Sequence, residues 1–323
     1  MTPILDIFRA LADPTRLRIV YLLRSMELAV GEIAQVVGQS QPRVSRHVRI
    51  LVESGLAERR KEGSWVFLRL GQDHHIAPLM RFLDGAELSD SEALWVKADL
   101  ARLAAVRNDR AHAAERYFSE HAVEWDAIRS LHVPEAEVEA AMQQLLSGRK
   151  IGRLLDIGTG TGRMLQLFGD SADQAVAIDR SPDMLRVARA KLPEKGSDKY
   201  ELLLGDFYAL PLPDASTDTV ILHQVLHYAQ QPELVIEEAA RVLSGNGRLL
   251  IADFAPHERE ELRTSNAHAR LGFSDDQMER WFEQAGFDMD DERTLAGGEL
   301  TVKIWLGHRR EAQILPIKGR NAS

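Results

Sequence analysis

Residues 153–163 read RLLDIGTGTGR, an apolar run that passes directly into three glycines, each separated from the next by a threonine. The apolar run predicts a buried β-strand, and the glycines predict a tight turn in which the backbone can approach a ligand without side-chain obstruction. A second apolar run, residues 174–179, ends in Asp179, whose carboxylate can accept hydrogen bonds from both hydroxyls of a ribose. Together these segments predict a nucleotide-binding sheet.

Strands and helices alternate around this turn, from residue 151 to residue 310. Five short apolar strands are predicted at residues 153–157, 174–179, 200–204, 219–222 and 248–253. Strands that are separated by helical segments indicate a parallel sheet. Two later strands, residues 288–295 and 300–306, indicate an antiparallel hairpin, with residues 302–306 as an edge strand. The predicted fold is an α/β Rossmann-like doubly wound sheet with an antiparallel edge hairpin.

The first 85 residues follow a different pattern, in which short helices precede two alternating strands. Helices are predicted at residues 2–11, 14–24, 30–37, 40–54 and 76–84, and strands at residues 56–60 and 65–70. Asp13 and Ser40 are N-cap signals, and Gly38 and Gly55 are helix-ending signals. Residues 1–85 therefore predict a winged helix-turn-helix, which is mostly α-helical with a β-hairpin wing.

Residues 86–150 connect these two regions and are rich in Ala, Leu, Arg and Glu. This composition predicts a helical connector that is interrupted at Pro134, rather than a flexible linker. Residues 311–323 predict a disordered tail.

The composition narrows the class of protein. Hydrophobic residues make up 45% of the 323 residues and charged residues 28%, which is the balance of a soluble globular protein. No apolar run approaches the roughly 18 residues that a membrane helix needs, and the first residues lack a secretion signal. We therefore expect a cytoplasmic protein that has no membrane partner. The absence of cysteine excludes disulfides, thiolate metal sites and cysteine nucleophiles.

Charge is distributed unevenly along the chain. Residues 1–70 contain 11 Lys and Arg against 7 Asp and Glu, although the whole chain carries a formal net charge of −9. Neutralisation of phosphates supplies most of the non-specific affinity for nucleic acids. We therefore expect double-stranded DNA to bind the N-terminal region and not the acidic remainder.

The predicted fourth helix and the wing carry the side chains that are expected to contact DNA. These candidates are Ser40, Gln41, Arg43, Ser45, Arg46 and His47 on the helix, and Arg60 and Lys61 on the wing. Arg46 fits the edge of a guanine and Gln41 that of an adenine. Phosphates are the expected partners of Arg59, Arg60, Lys61 and Ser64. The alternative is that the basic residues form a solvated face of a small protein-interaction domain.

Three stretches of the N-terminal region carry a family resemblance. They are residues 10–19, which read ALADPTRLRI, residues 45–56, which read SRHVRILVESGL, and residues 62–64, which read EGS. They closely resemble the ArsR/SmtB family of winged-helix repressors over about residues 3–85. The resemblance implies a homodimer, formed through the first helix and the helix at residues 76–84, that binds an inverted repeat in operator DNA.

Metal sensing, which this family often performs, is not expected here. The metal sensors carry cysteines where residues 27–33 of this chain read ELAVGEI, so that ligand set is absent. Asp73, His74 and His75 fit a capping and solvated histidine pair better than a coordination sphere. No metal site is predicted.

The second region carries its own resemblance. Its turn has the spacing G-x-G-x-G rather than the G-x-G-x-x-G of dinucleotide-binding proteins. Asp206 adds a carboxylate that can accept the adenine amino group, with Phe207 or Ala209 against the ring. Together with Asp218 and the run RVLSGNGRL at residues 241–249, these features resemble class I S-adenosylmethionine-dependent methyltransferases over about residues 112–308. The most similar group is ubiquinone/menaquinone methyltransferase-like.

This resemblance implies S-adenosylmethionine as the cofactor and S-adenosylhomocysteine as its product. By the resemblance, Asp156 and the Gly158 region hold the methionine end, Asp179 the ribose and Asp206 the adenine. The implied cofactor-binding set is Asp156, Gly158, Thr159, Gly160, Gly162, Asp179, Arg180, Asp206, Phe207 and His223. The pairs Tyr117-Phe118 and Trp125-Asp126 resemble the segment that covers the cofactor in this group. The alternative is that these aromatic residues fix the connector to the sheet.

Catalysis is less evident than binding, because a sulfonium is a good leaving group and alignment alone can drive methyl transfer. His223 and His227 follow the fourth strand at the edge of the expected site, and His223 is the candidate base. The alternatives are Asp253, at the end of the fifth strand, and a purely structural histidine. Arsenite methylation relies on cysteine thiolates, so arsenite is not the expected acceptor.

Two functions agree with these observations. The first is a transcriptional regulator whose methyltransferase-like domain binds S-adenosylmethionine or S-adenosylhomocysteine as an effector. The second is an enzyme that methylates a small molecule and carries an accessory, dimerising winged helix. A third, of another class, is a nicotinamide-dependent oxidoreductase.

Overall fold

The structure is a computed structural model, which describes residues 4–62, 65–71, 75–85, 89–122, 125, 135–192, 199–296 and 299–310. Its contacts divide the chain into two compact units. The first unit comprises Met1–Arg116 and Glu258–Leu271, and the second comprises Tyr117–His257 and Gly272–Ser323. The sequence-based expectations for Ser64, Asp73, His74, Asp126 and residues 311–323 lie outside the described residues.

The first unit contains the expected helices. They are α1 (Ile4–Leu11), α2 (Pro14–Ser25), α3 (Val30–Val37), α4 (Gln41–Glu53) and α5 (Ile76–Gly85). Asp13 caps α2, because its Oδ1 accepts the backbone N–H of Arg16 at 3.0 Å. Gly38 ends α3 with a φ of 69°, a left-handed conformation that a residue with a Cβ rarely adopts. This turn joins α3 to α4 and completes a helix-turn-helix.

The wing is part of a three-stranded antiparallel sheet. Its strands are β1 (Leu28–Ala29), β2 (Ala57–Glu62) and β3 (Trp65–Leu70), in the order β1-β3-β2. The hairpin of β2 and β3 was expected from the sequence, but β1 was not. Two residues are too short to show the alternation that marks a strand. Leu28 is fully buried opposite Leu68, so β1 fixes the inner strand of the wing to the core.

A long helix follows the winged-helix region. Helix α6 (Asp90–His121) has 32 residues, and the next described helix is α7 (Glu135–Leu146), so both of these described parts of the predicted connector are helical. Asp99 of α6 is buried. Its carboxylate accepts hydrogen bonds from Nε and from a terminal guanidinium nitrogen of Arg18, both at 2.6 Å. Arg18 also donates to the carbonyl of Val37 at 2.9 Å. This ion pair ties α6 to α2 and to the end of α3.

The second unit is built on a seven-stranded sheet in the order β6-β5-β4-β7-β8-β10-β9. Its strands are β4 (Arg153–Ile157), β5 (Gln174–Asp179), β6 (Tyr200–Leu204), β7 (Thr217–His223), β8 (Leu243–Phe254), β9 (Phe287–Leu295) and β10 (Val302–Arg309). The first five are parallel, and β10 is antiparallel to both β8 and β9. The doubly wound sheet with its antiparallel hairpin is therefore confirmed.

One detail of the predicted hairpin is wrong. Residues 302–306 were expected at the sheet edge, but β10 lies between β8 and β9, and β9 is the edge strand. The physical reason is burial: every residue from Val302 to Leu306 is buried, whereas in β9 only Phe287 is buried and the other residues are half-buried or exposed. A fully buried strand needs a hydrogen-bonding partner on each side.

The remaining α-helices of the described residues are α8 (Arg163–Phe168), α9 (Pro182–Lys191), α10 (Pro232–Val242), α11 (Glu261–Ser265) and α12 (Asp275–Gln284). Short 3-10 helices cover Gly169–Ser171 and Leu226–Tyr228. The core of the second unit includes the fully buried Leu155, Val220, Leu249 and Trp305. The indole of Trp305 donates to Oδ1 of Asp275 at 2.9 Å, which satisfies its buried N–H. None of the helices in the described part of the chain is long and apolar enough to span a membrane.

Candidate functional site

The glycine turn after β4 adopts a conformation that requires glycine. Gly158, Gly160 and Gly162 have φ values of 70°, 54° and 85°. A Cβ on Gly158 would lie 2.2 Å from Cγ2 of Val225, and one on Gly160 would lie 3.3 Å from Nε1 of Trp125. The turn is therefore in close contact with the loop that follows β7 and with Trp125.

Asp179 joins the tip of β5 to this turn. Its Oδ2 accepts the backbone N–H of Gly160 at 2.8 Å, and its Oδ1 accepts that of Ser181 at 2.8 Å. Burial raises the pKa of the Asp179 carboxyl, and the backbone hydrogen bonds act in the opposite direction. Each carboxylate oxygen can accept a further hydrogen bond. Asp179 thus holds the turn and is able to receive two hydroxyl groups as well.

Asp206 lies beyond β6, next to this tip. Its Oδ1 accepts the backbone N–H of Tyr208 at 2.9 Å, and the rings of Phe207 and Tyr208 meet edge to face with centroids 4.7 Å apart. Gly205 donates its N–H to the carbonyl of Asp179 at 3.0 Å. The carboxylates of Asp179 and Asp206 therefore lie at the ends of neighbouring strands. The open glycine turn and the two carboxylates fit a nucleoside cofactor with a short polar tail.

The loop after β7 is strained and largely buried. Gln224 has a φ of 51° and is only 6% exposed, and its backbone N–H donates to the carbonyl of Ala252 at 2.7 Å. Positive φ in a residue with a Cβ is uncommon and clusters at functional sites. Among the described residues, the side-chain nitrogen of Gln224 and the hydroxyl of Thr159 are buried without a hydrogen-bond partner. Buried side-chain polar groups usually have a hydrogen-bond partner in folded proteins.

His227, four residues after His223, is paired with Asp253. Nδ1 of His227 lies 2.8 Å from Oδ1 of Asp253, and both side chains are almost fully buried. Asp253 also accepts the backbone N–H of His227 at 3.1 Å and that of Phe254 at 2.8 Å. Three hydrogen-bond contacts therefore fix the position of this carboxylate.

Aromatic rings surround this pair within the second unit. Tyr228 lies 4.0 Å from His227 and 4.7 Å from Phe118 between ring centroids, and Phe118 lies 5.3 Å from Trp125. Burial raises the pKa of Tyr228 well above its usual value, and the charges of Tyr117 and Asp253 act in the same direction. Because Nε1 of Trp125 also lies 3.3 Å from the position that a Cβ on Gly160 would occupy, these rings extend from the glycine turn to the His227–Asp253 pair.

The structure places the other predicted cofactor residues around the same strand ends. Asp156, Thr159 and His223 are buried, and Arg180 is exposed. His223 ends β7 opposite Ala252 of β8. Both histidines were visible in the sequence, but the contact of His227 with Asp253 depends on where β8 ends beside the loop. The roles of these residues remain predictions.

The polar face of α4 is accessible in the first unit. The exposed candidates are Ser40, Gln41, Arg43, Ser45 and Arg46. His47 is half-buried, and its Nδ1 lies 3.6 Å from Oδ1 of Asp13. Val44, Val48 and Leu51 are buried on the opposite face, as the periodicity predicts. The accessible face is suited to insertion in a major groove.

Arg60 of the wing is engaged within the protein. Its Nε donates to Oε2 of Glu27 at 3.0 Å, and its guanidinium carbon lies 5.3 Å from the ring centroid of Phe67. Burial alone would raise the pKa of Glu27, but Arg270 and Arg60 hold it below its usual value. Lys61, the next residue, is exposed. Lys61 is therefore a better candidate than Arg60 for a phosphate contact, and Arg59 of β2 is exposed as well.

Comparisons with known proteins match two separate stretches of the chain. The model of the bacterial regulatory protein arsR family matches residues 13–59, and that of the methyltransferase domain matches residues 155–251. The arsenical resistance operon repressor of Escherichia coli is 49% identical over 100 residues, which are 30% of this chain and 85% of the repressor.

The methyltransferase relatives match only part of their own length. The malonyl-[acyl-carrier protein] O-methyltransferase of Methylococcus capsulatus is 33% identical over 153 residues, which are 45% of this chain and 53% of that enzyme. A demethylmenaquinone methyltransferase of Renibacterium salmoninarum is 32% identical over 103 residues, 32% of this chain and 41% of that enzyme. The matched stretch thus spans about half or less of these relatives.

The fold comparison agrees. A methyltransferase solved in complex with the Trm112 methyltransferase activator of Haloferax volcanii superposes with a TM-score of 0.51 at 21% identity, over 60% of this chain and 98% of that chain. The matches favour a methyltransferase over the nicotinamide-dependent alternative. The chain belongs to the arsR family of bacterial regulatory proteins, and its winged helix is fused to an S-adenosylmethionine-dependent methyltransferase domain.

Proposed function

We propose that this chain is a transcriptional regulator whose affinity for operator DNA depends on S-adenosylmethionine or S-adenosylhomocysteine bound in its methyltransferase domain. The observation that carries the proposal concerns residues 258–271. In sequence they lie between β8 and α12 of the second unit, but their contacts belong to the winged-helix unit. A segment that follows the matched methyltransferase residues in the sequence therefore belongs to the winged-helix unit.

The contacts of this segment converge on the wing. Arg270 donates a hydrogen bond to Oε2 of Glu27 at 2.8 Å, and the same oxygen accepts a hydrogen bond from Arg60. The guanidinium carbons of Arg263 and Arg270 lie 5.5 Å and 5.4 Å from the ring centroid of Phe67 on β3. Cations within about 6 Å of an aromatic face are attracted to it. A displacement of this segment would therefore change the support of β2 and β3.

Helix α6 provides a second connection to the DNA-reading elements. Arg102 donates to Asp99 at 3.1 Å and to the carbonyl of Val36 at 3.1 Å, and Arg18 reaches the carbonyl of Val37. These carbonyls belong to the last turn of α3, directly before the turn into α4. A ligand can shift a two-state equilibrium by its difference in affinity for the two states. Both connections are suited to transmit such a shift.

The test is an equilibrium titration of the full chain with a labelled DNA fragment from upstream of its own coding sequence. S-adenosylmethionine and S-adenosylhomocysteine are added separately at fixed salt, because salt alone changes the affinity. We expect at least one ligand to change the Kd for DNA by about fivefold or more, the usual scale of such coupling. Asp179→Ala should abolish the response together with ligand binding. Unchanged DNA affinity with both ligands shown by calorimetry to be bound would refute effector control.

The regulator is proposed to act in the cytoplasm as a homodimer that binds an inverted repeat. Exposed apolar side chains of the first unit support the dimer: Ile4, Leu5 and Phe8 on α1 and Phe82 on α5. Exposed apolar patches mark interaction surfaces more often than isolated apolar side chains do. The E. coli relative, named as an operon repressor, supports the DNA partner.

A second function, methylation of a small molecule, is compatible with the first. The observation that favours it is the buried His227–Asp253 pair beside the aromatic rings, because a cofactor sensor alone needs no such pair. Cofactor labelled in its methyl group, incubated with the full chain and a cell metabolite extract, should yield a labelled small molecule. Asp179→Ala should remove both turnover and cofactor binding. Absence of product across extracts, with the cofactor bound, would leave regulation as the only function.

A further inference from the structure

We propose that His227, oriented by Asp253, takes the proton from the methyl acceptor, and that the acceptor reacts through a hydroxyl group. This inference rests on the proposed methyltransferase activity. It differs from the expectation drawn from the sequence, in which His223 was the candidate base. The structural observation behind it is the juxtaposition of a buried His–Asp pair, a strained buried glutamine and the row of aromatic rings that leads to the glycine turn.

The hydrogen bonds of Asp253 define the tautomer of His227. An ionised carboxylate only accepts hydrogen bonds, and Asp253 already accepts two backbone N–H groups, from His227 and Phe254. The third contact, 2.8 Å to Nδ1 of His227, therefore places the ring proton on Nδ1. The lone pair of the neutral imidazole is then on Nε2, the nitrogen that acts as the base. An oriented carboxylate also stabilises the imidazolium that forms.

The position of the pair agrees with this role. Ligands of doubly wound sheets bind at the carboxyl ends of the parallel strands. His227 follows β7, and Asp253 is the penultimate residue of β8. Val225, in the same loop, contacts the position where Gly158 would carry a Cβ. The loop that carries His227 is therefore part of the wall of the cofactor turn.

Gln224 adds an independent observation. Its left-handed backbone at φ 51° is held by the hydrogen bond from its N–H to the carbonyl of Ala252. Its side-chain nitrogen is buried without a partner among the described residues. An amide nitrogen is a donor, and the oxygen of a hydroxyl acceptor is the kind of group that would satisfy it.

The reaction balances in atoms and charge. The acceptor oxygen forms a bond to the methyl carbon, and the carbon–sulfur bond breaks with its electron pair left on sulfur. The proton of the hydroxyl passes to Nε2 of His227. One positive charge thereby moves from the sulfonium to the imidazolium, which lies beside the carboxylate of Asp253. A hydroxyl needs this help because it is protonated and weakly nucleophilic at neutral pH.

The first experiment examines the tautomer without any turnover. The full chain is labelled with ¹⁵N at histidine, and the imidazole signals are recorded by NMR without cofactor. We expect a protected Nδ1–H signal that disappears in both His227→Asn and Asp253→Ala. An Nε2–H tautomer at His227 would overturn the proposal, because that nitrogen then has no lone pair for the proton.

The second experiment measures single-turnover transfer of a labelled methyl group to three probes, phenol, 4-cyanophenol and 4-nitrophenol. His227→Asn keeps a donor toward Asp253 but has no basic nitrogen, and we expect it to slow transfer to phenol by about 10² or more. The loss should shrink toward 4-nitrophenol, whose hydroxyl ionises without help. A purely structural histidine would slow all three equally, which would overturn the assignment. Absence of transfer to any of the phenols by the unsubstituted chain would overturn the hydroxyl class.

The matched control is His308→Asn. His308 also pairs with an aspartate, since its Nδ1 lies 2.6 Å from Oδ1 of Asp290 on β9, but the pair is partly exposed. We expect this variant to transfer at the unsubstituted rate. Calorimetry separates failure of the proposed function from failure of the role of His227. If the chain does not bind S-adenosylmethionine, the proposed function is contradicted. If the chain binds it normally and the variant loses activity equally on all phenols, only the role of His227 is contradicted.

Discussion

Adjacent residues of the wing have different environments although the sequence gives them the same expected role. Arg60 is half-buried against Glu27 and Phe67, whereas Lys61 is exposed. A guanidinium that already has a carboxylate and an aromatic partner would lose both on turning toward a phosphate. On α4, Arg46 is exposed near the N-terminal half of the helix, where base edges are read.

This difference leads to a prediction for two single variants. Arg46→Ala should weaken binding to the operator fragment by about 1–3 kcal/mol and leave binding to random DNA nearly unchanged, because it removes a base contact. Lys61→Ala should weaken binding to both by a similar factor and reduce the salt dependence, because it removes a phosphate contact. Fluorescence anisotropy at several salt concentrations measures both effects. Equal losses on operator and random DNA for Arg46→Ala would contradict the assignment.

At the scale of elements, the sequence predicts the bounds of a strand best where a turn lies on each side of that strand. The bounds of β4, β5 and β6 agree with the sequence, because each is a short apolar run between polar or glycine-containing segments. β8 is longer than expected, since it extends through Ser244 and Gly245 before its apolar part. The position of β10 between two other strands was missed because strand order depends on pairing across the chain, which local patterns do not report.

In the candidate site, too, local spacing predicts some residues and misses others. The glycine turn, Asp179 and Asp206 follow from local spacing, since each lies directly after a strand. The partner of His227 could not be found in this way, because Asp253 is 26 residues away and reaches the histidine only through the alignment of β7 and β8. The ion pair of Arg270 with Glu27 spans 243 residues and has no local sequence signal.

The exposed apolar faces of α1 and α5 lead to a prediction for the oligomeric state. Phe8 is 52% exposed and Phe82 is 67% exposed. The combined variant Phe8→Asp with Phe82→Asp should change a dimer to a monomer, because burial of a charge at an interface is unfavourable. Light scattering coupled to size exclusion measures the mass.

The matched control for this prediction is Leu204→Asp. Leu204 lies on β6 in the second unit and is 61% exposed, so it offers the same type of side chain on another surface. We expect this variant to retain the dimeric mass. A monomeric unsubstituted chain, or a combined variant that stays dimeric, would show that α1 and α5 do not form the interface.

At the scale of the whole molecule, each compact unit is built from segments that are separated in the sequence. The chain passes between the units after Arg116, after His257 and after Leu271. The second passage comes four residues after Asp253, so the strand that carries a candidate site residue continues directly into the segment that supports the wing. Ligand-dependent changes at the end of β8 thus have a short covalent path to Arg263 and Arg270.

The last prediction concerns this path. Arg270→Gln removes the positive charge that pairs with Glu27. The ion pair between Glu27 and Arg60 remains. We expect the variant to bind S-adenosylmethionine with unchanged affinity and to bind operator DNA without ligand within about threefold of the original. The change in DNA affinity on adding ligand should fall below about twofold, because the coupling free energy is carried by contacts that differ between the two states.

Arg259→Gln is the control within the same segment, since Arg259 forms its ion pair with Glu261 on the following turn. This variant should keep the full response to ligand. Thermal unfolding of both variants with and without cofactor separates loss of coupling from loss of stability, which for a buried charged hydrogen bond is about 1–3 kcal/mol. If Arg270→Gln keeps the full response, the wing contact is only structural, and α6 with the Asp99 network becomes the path by which the ligand acts on α4.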